Sequence, residues 1–403
     1  MAHDSATTRD PRGSTPPGFW IIWLTVATDL VGFGIVLPLL PLFAKEFGAG
    51  PLVATTLLAS YSAAQFAAAP VWGRLSDRIG RKPVLVCSLI GTAIGYAVTA
   101  SANVVWLLFV GRIIDGLTGS TFGVAQASVI DVAEPRDRPR LLGLLGAAFG
   151  LGFVAGPIMG GLAAIGGRRL PFIVAAVLSG LNAIAAIIRV PETAKRAGAV
   201  VRAERSWLPH LDVMRRAGDS ALARLALLGL LGTVAFSGFE STFSLLLDHR
   251  FDARHGVVYA LFTVIGLAMV IMQARVVGQV SQRRSGSEIL RVAFVASGIG
   301  YGLMAIDGRW VSLGAALAFL VVGQGLFTPT LSSVTAGVVD PASRGEAFGV
   351  QQSASALGRI AGPVLAGLLF GHVAVGSPYI VAAVLVMVAW VCVPRGVPAI
   401  ADR

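Results

Sequence analysis

A chain of 403 residues that is 55% hydrophobic and 13% charged, with a mean hydropathy of +0.77, lies outside the soluble globular range. Cys87 and Cys392 both sit inside apolar runs, and the five histidines show no ligand spacing, which leaves no disulfide framework or metal centre to build. The net charge of +11 would suit a nucleic-acid partner, but its placement along the chain assigns it to membrane topology instead.

Residues 1–19 form a polar tail with Pro11, Pro16 and Pro17. No apolar core precedes a small-residue cleavage site, so the tail reads as disordered and not as a signal peptide. Twelve apolar spans are then predicted, at 20–43, 53–72, 84–102, 104–130, 141–163, 170–188, 223–247, 256–278, 288–306, 310–338, 347–370 and 375–393. Each approaches the ~20 residues that a helix needs to cross a ~30 Å hydrocarbon core. The connections are short except for a basic linker over 189–222, which carries Lys195, Arg196, Arg202, Arg205, Arg215 and Arg216. It separates two six-helix units, 20–188 and 223–393, and a short tail follows at 394–403. With the loop after span two placed inside, inner segments hold 22 Lys and Arg and outer loops hold 6. That bias puts both termini in the cytoplasm. Nucleic acid is not needed to explain the charge.

The two units repeat one another. Gly111-Arg112-x-x-Asp115-Gly116 in span four is echoed by Gly323-Gln324-Gly325 in span ten, and Gly156-Pro157 in span five by Gly362-Pro363 in span eleven. Asp131…Arg136-Asp137-Arg138 is echoed by Asp340…Arg344-Gly345-Glu346. The loop after span two has a worn copy over Gly278–Gly286. The expected fold is therefore an all-α membrane protein of twelve transmembrane helices in two pseudo-symmetric six-helix bundles, as in many secondary transporters.

Between spans two and three the chain reads Gly73-Arg-Leu-Ser-Asp-Arg-Ile-Gly-Arg-Lys-Pro83, with cations at 74, 78, 81 and 82 and the single acid Asp77. Gly73 and Gly80 suit sharp turns, and Pro83 suits the first turn of a following helix. By composition this is a topology-setting loop. In residue order it resembles the signature loop of major facilitator superfamily transporters, G-x-L-[SA]-D-R-x-G-R-[RK]. The resemblance implies a V-shaped pair of bundles around a central cavity open to one side at a time. It implies Asp77 near the N-terminal end of helix eleven and Arg81 close to Asp131, so that Gly73, Asp77, Arg78, Gly80, Arg81 and Asp131 gate the cytoplasmic side.

In span five, Gly152-x-x-x-Gly156-Pro157-x-x-Gly160-Gly161 places small residues four apart, which suffices for close helix packing. Its full spacing resembles the span-five motif of major facilitator antiporters. Span one, Asp29-Leu-Val-Gly32-Phe-Gly34-Ile-Val-Leu-Pro38-Leu-Leu-Pro41, resembles the twelve-helix drug:proton antiporters. The stretch Leu24–Pro41 looks most like tetracycline efflux proteins, and spans two, four and five look like the same group. The resemblance is strong in the N-terminal half and weaker in the C-terminal half. Two places depart from it: Gly95 stands where those exporters carry an acid in span three, and span nine has no acid from Ile289 to Ile306.

Ionisable groups at bilayer depth cost ~2.5–3.5 kcal/mol on insertion scales, so each invites a reason. Asp29 lies ~14 Å in from the cytoplasmic edge and Asp115 ~16 Å in from the outer edge, which makes the two nearly level. Arg112 is one turn from Asp115 on the same helix face. These three form either a structural ion pair locking helices together or a proton-coupling site, with Asp29 the expected carrier because Asp115 has a cation beside it. Glu240, set between Phe239 and Phe243, suits a cationic or amphiphilic guest. Gln65, Asn182, Gln273, Gln324, Gln351 and Arg359 complete the expected substrate cavity.

An embedded enzyme would need a nucleophile with its base, or a metal cluster. No span holds a His/Asp pair, a His-Glu-x-x-His or a Gly-x-Ser-x-Gly setting. The expected function is thus proton-coupled export of drugs or other small amphiphiles by a monomer in the cytoplasmic membrane. Its expected partners are substrate, protons and lipid, with no cofactor and no metal. The alternative is a proton symporter or facilitator for a sugar or small metabolite.

Overall fold

The computed structural model describes residues 15–134, 137–193, 220–306, 308–339 and 344–394. All regular elements among them are helices. Eleven are long and apolar enough to cross a bilayer, and a shorter apolar helix, Ser377–Cys392, closes the series. Span one is Phe19–Val36 followed by Leu40–Glu46, with the bend at Pro38 where the sequence puts it. Spans two and three are Pro51–Ile79 and Arg81–Ser101; span four is Val105–Thr118 plus Thr121–Val132; spans five and six are Arg138–Ile165 and Leu170–Arg189. In the second half, span seven is Ser220–Phe251 and span eight is His255–Ile271, continued through a π-helical turn at Met272–Val277 and Gly278–Ser281. Spans nine to twelve are Gly286–Ile306, Trp310–Val338, Arg344–His372 and Ser377–Cys392.

The repeat read in the sequence is also a repeat of packing. Span one packs on five and six, and span three on four and six; in the other half, span seven packs on eleven and twelve, and span nine on ten and twelve. Glycines set these approaches, because a helix without a Cβ at the crossing lets a neighbouring backbone come close. A Cβ on Gly156 would lie 2.6 Å from Gly34 Cα, and one on Gly362 would lie 3.0 Å from the Gly238 nitrogen. A Cβ on Gly111 would meet Gly95 O at 2.8 Å, and one on Gly323 would meet Ala293 O at 2.8 Å. Spans two and eleven, and spans five and eight, join the halves. Span one is tied to the second half as well, by Lys45 Nζ to Asp248 Oδ2 of span seven (2.5 Å) and by Tyr259 Oη of span eight donating to Ile35 O (3.1 Å).

Two local expectations are corrected, and a third lies partly outside the described residues. The Gly73–Pro83 stretch is not an open loop: span two stays helical to Ile79, Gly73 lies within it, and only Gly80 (φ +106°) turns the chain. Span four is broken in its middle, and span eight carries a π turn; neither has a proline there to announce it. The third repeat falls partly outside the described residues, since Arg136 and Asp340 are not among them and nothing is described of the side chains of Arg344, Gly345 and Glu346.

Candidate functional site

In the N-terminal half, Arg112 Nη1 donates to Asp115 Oδ2 at 2.6 Å, and the two residues are 1% and 2% exposed. A buried pair of this kind persists only with further support, because taking two charges out of water costs several kcal/mol per ion. That support comes from span two. The Arg112 guanidinium carbon lies 4.4 Å from the centroid of the Tyr61 ring, and Gln65 Nε2 donates to Tyr61 Oη at 3.0 Å. Span three makes room for the pair. A Cβ on Gly95 would sit 2.8 Å from Asp115 Cβ, so the carboxylate-bearing side chain of span four occupies the ground that a larger residue at position 95 would need. Asp29 approaches from span one, beside Thr121 and within electrostatic reach of Asp115. Its Oδ1 is buried with no hydrogen-bond partner. The three groups named from the sequence thus form one cluster. Tyr61 was missed, and its signal was modest: an aromatic one turn before Gln65 in a polar stripe.

Where span two gives way to span three, Arg81 Nε donates to Asp131 Oδ2 at 2.8 Å and Arg81 Nη1 to Asp77 Oδ1 at 2.7 Å. Asp77 is half exposed and anchored to Arg81; the side chains of the first turn of span eleven, its expected partner, are outside the described residues. Arg78 is exposed. Glu192, just past span six, was not foreseen. Its carboxylate accepts the backbone N–H of Arg81 (2.8 Å) and of Lys82 (3.2 Å), capping span three where its helix begins.

The span-five glycines work in two directions. Gly152 and Gly156 face Leu30 and Gly34 of span one, while Gly160 and Gly161 face Tyr259 of span eight. Pro157 lies within this unbroken helix.

The C-terminal candidates scatter more. Glu240 and Arg359 are half-buried electrostatic neighbours, and Arg359 of span eleven is also within electrostatic reach of Tyr61 of span two, where the halves meet. Phe239 and Phe243 do not line an open cavity. They are 5% and 0% exposed and stack with each other (5.1 Å), with Tyr301 and with Phe262 in the core of this half. Gln324, at the position matching Arg112, is buried between spans nine and ten. Gln351 is half-buried, its Oε1 lacks a partner and its Nε2 is 3.5 Å from Ser332 Oγ; Gln273 lies exposed in the π turn of span eight. Asn182 sits on the opposite side of the N-terminal bundle. It donates to Thr25 O at 2.8 Å and helps line a groove of about 210 Å³ between spans one and six, whose rims Leu24 and Leu181 are exposed. That groove faces the bilayer, so Asn182 belongs to helix pairing.

A family model described as Major Facilitator Superfamily matches residues 22–306 and 277–400. The chain belongs to the Major Facilitator Superfamily. This major facilitator is 32% identical over 383 residues to the class C tetracycline resistance protein of Escherichia coli, covering 93% of this chain and 96% of that one. It is 33% identical over 354 residues to the class D tetracycline resistance protein of Salmonella ordonez, covering 85% and 87%. The likeness therefore runs through both halves, further than the motifs of the second half carried it. Among solved structures, the human organic anion transporter MFSD10 superposes with a TM-score of 0.73 at 25% identity, covering 94% of this chain and all of that one. The protein is a membrane transporter of the major facilitator fold.

Proposed function

We propose that this transporter exports small amphiphilic drugs across the cytoplasmic membrane in exchange for protons, with both termini cytoplasmic and Asp29 as the proton carrier. One observation carries the reading: a buried, unpartnered carboxylate oxygen on Asp29 lies beside a second buried carboxylate, Asp115, that is locked to Arg112. A carboxylate without a cation of its own in a low-dielectric site favours holding a proton, whereas a paired one resists it. Asp29 therefore loads and unloads, and Arg112 and Asp115 set the field it feels. Tetracyclines are the first drugs to try, because the curated relatives that span the chain are tetracycline resistance proteins. The tetracycline exporters that span one resembles place an acid in span three. Here Asp115 leans over Gly95 and brings a carboxylate to the same neighbourhood from span four.

The test uses inverted membrane vesicles with an imposed pH gradient. Adding a transported drug should dissipate the gradient in the wild type, and Asp29→Asn should lose that coupling while still letting drug equilibrate down its own gradient. Normal coupling in Asp29→Asn together with loss in Asp115→Asn would show that the wrong acid has been chosen. Sodium dependence with no effect of pH would overturn the proton reading altogether. At the cytoplasmic surface, Asp77→Asn should abolish most transport with membrane insertion intact.

A further inference from the structure

Span four lies at membrane depth, yet its helix stops at Thr118 and restarts at Thr121. Gly119 (φ −69°, ψ 59°) and Ser120 (φ −109°, ψ 1°) leave the helical region, and the last carbonyls of the first segment lose their helical donors. In a bilayer such carbonyls must find partners inside the protein. Here Gly116 O takes the Gly119 N–H within span four, and the carbonyls of 117, 118 and 119 take side-chain donors from two neighbouring spans. Trp72 Nε1 donates to Leu117 O (2.5 Å), Ser88 Oγ to Thr118 O, and Gln65 Nε2 to Gly119 O (2.7 Å). Ser88 Oγ also accepts the Ser120 N–H (3.1 Å) and lies 3.0 Å from Thr121 Oγ1. With no proline in span four, the break falls at the Gly119-Ser120 pair and is held open by these side chains.

Gln65 has a second contact. The same amide nitrogen donates to Tyr61 Oη, and the Tyr61 ring is the surface on which Arg112 rests beside Asp115. One side chain therefore holds both the break and the platform under the buried ion pair. Beyond the break, Thr121–Val132 carries Asp131 in its last turn, and Asp131 takes Arg81. Span ten, the counterpart in the other half, runs unbroken over Trp310–Val338.

We propose that the Gly119–Ser120 break is a hinge and that Gln65 is the positioning residue that sets it, linking the Arg112–Asp115 pair to the Arg81–Asp131 bridge. The inference rests on the proton-coupled reading above. A change of charge near Asp115 shifts Arg112 and the ring beneath it, and Gln65 moves with Tyr61 Oη and lets go of Gly119 O. That carbonyl can then accept the Gly123 N–H four residues on, which straightens span four and swings Asp131 relative to Arg81.

The test is a spin-label distance measurement on the full-length protein in lipid nanodiscs. Labels replace the exposed residues Ile79 and Ile130, with Cys87 and Cys392 changed to serine. The wild type should show two distances whose ratio changes about threefold or more between acidic and alkaline buffer. Gln65→Met keeps the size and removes both donors; it should give a ratio that no longer follows pH. Tyr61→Phe, which deletes only one acceptor, should weaken the pH response and serves if Gln65→Met does not fold. A pH-dependent ratio retained in both variants overturns the hinge. So does a single, pH-independent distance in a wild type whose vesicles still exchange drug for protons. Loss of drug–proton exchange in the wild type itself strikes the proton reading, and the inference with it.

Discussion

The two halves of the molecule share a packing scheme and differ in what they carry within it. Gly34 with Gly156 and Gly238 with Gly362 bring spans one and five, and seven and eleven, together by the same close approach. Gly111 over Gly95 and Gly323 over Ala293 do the same for spans three with four and nine with ten. Yet at the positions facing these crossings the first half has Arg112 and Asp115, and the second has Gln324 and Phe327. Close packing tolerates little change, since extra atoms at a backbone crossing force helices apart. Charge can be added or deleted in one copy so long as the partner is handled too. The duplication has therefore kept small residues at these crossings and let its ionisable groups diverge.

The largest expected effect tests the shared part. Gly156→Leu and Gly362→Leu should each prevent recovery of folded protein from membranes in gel filtration, because a side chain at either site meets backbone within about 3 Å. Tolerance of one but not the other would break the equivalence of the halves. Next comes the divergent part. Arg112→Leu strands a buried carboxylate and should cost about 3–5 kcal/mol of stability, whereas Gln324→Leu at the matching position should cost about 1 kcal/mol or less. Thermal unfolding in detergent compares the two, and similar losses would mean that Arg112 is only a packing residue.

A third experiment moves the acid. Gly95→Asp alone should reduce antiport by at least about tenfold, as there is no room beside Asp115 and like charges oppose each other. Combined with Asp115→Gln it should recover part of the drug-driven proton flux, and no recovery would separate the roles of the two positions. The smallest effect belongs to the link between the halves. Lys45→Ala removes an exposed ion pair with Asp248, worth about 0.2–1 kcal/mol, and should raise the accessibility of a cysteine introduced at Val53, with Cys87 and Cys392 changed to serine, to an impermeant reagent about two- to fivefold. Unchanged labelling would show that the bridge does not hold the outer ends together.

Much of this was legible beforehand because a bilayer simplifies the problem: spans must be apolar, about twenty residues long and fully hydrogen-bonded. The Arg112–Asp115 pair followed from a three-residue spacing, and Arg81 with Asp131 from the signature motif. What stayed hidden was which way a side chain faces. A helix that is apolar all round gives no stripe to separate lipid, core and cavity. Asn182 was thus assigned inward though it pairs with Thr25 beside the bilayer, and Phe239 and Phe243 were assigned to a cavity though they fill a core. The break in span four was marked only by its Gly119-Ser120 pair, because Trp72, Gln65 and Ser88, which hold it, lie 30 to 54 residues away along the chain.

The Glu192 cap bears on biogenesis. Span three leaves the ribosome long before Glu192 does, so the first amides of that helix wait for the chain to complete span six before they receive their acceptor. Pro191 closes the same seam by lying against Gly18 at the very start of span one. Sealing of the first bundle is thus deferred until its last few residues emerge. A split version of the transporter, expressed as two polypeptides, should assemble when the cut falls after Thr193 and fail when it falls at Arg189.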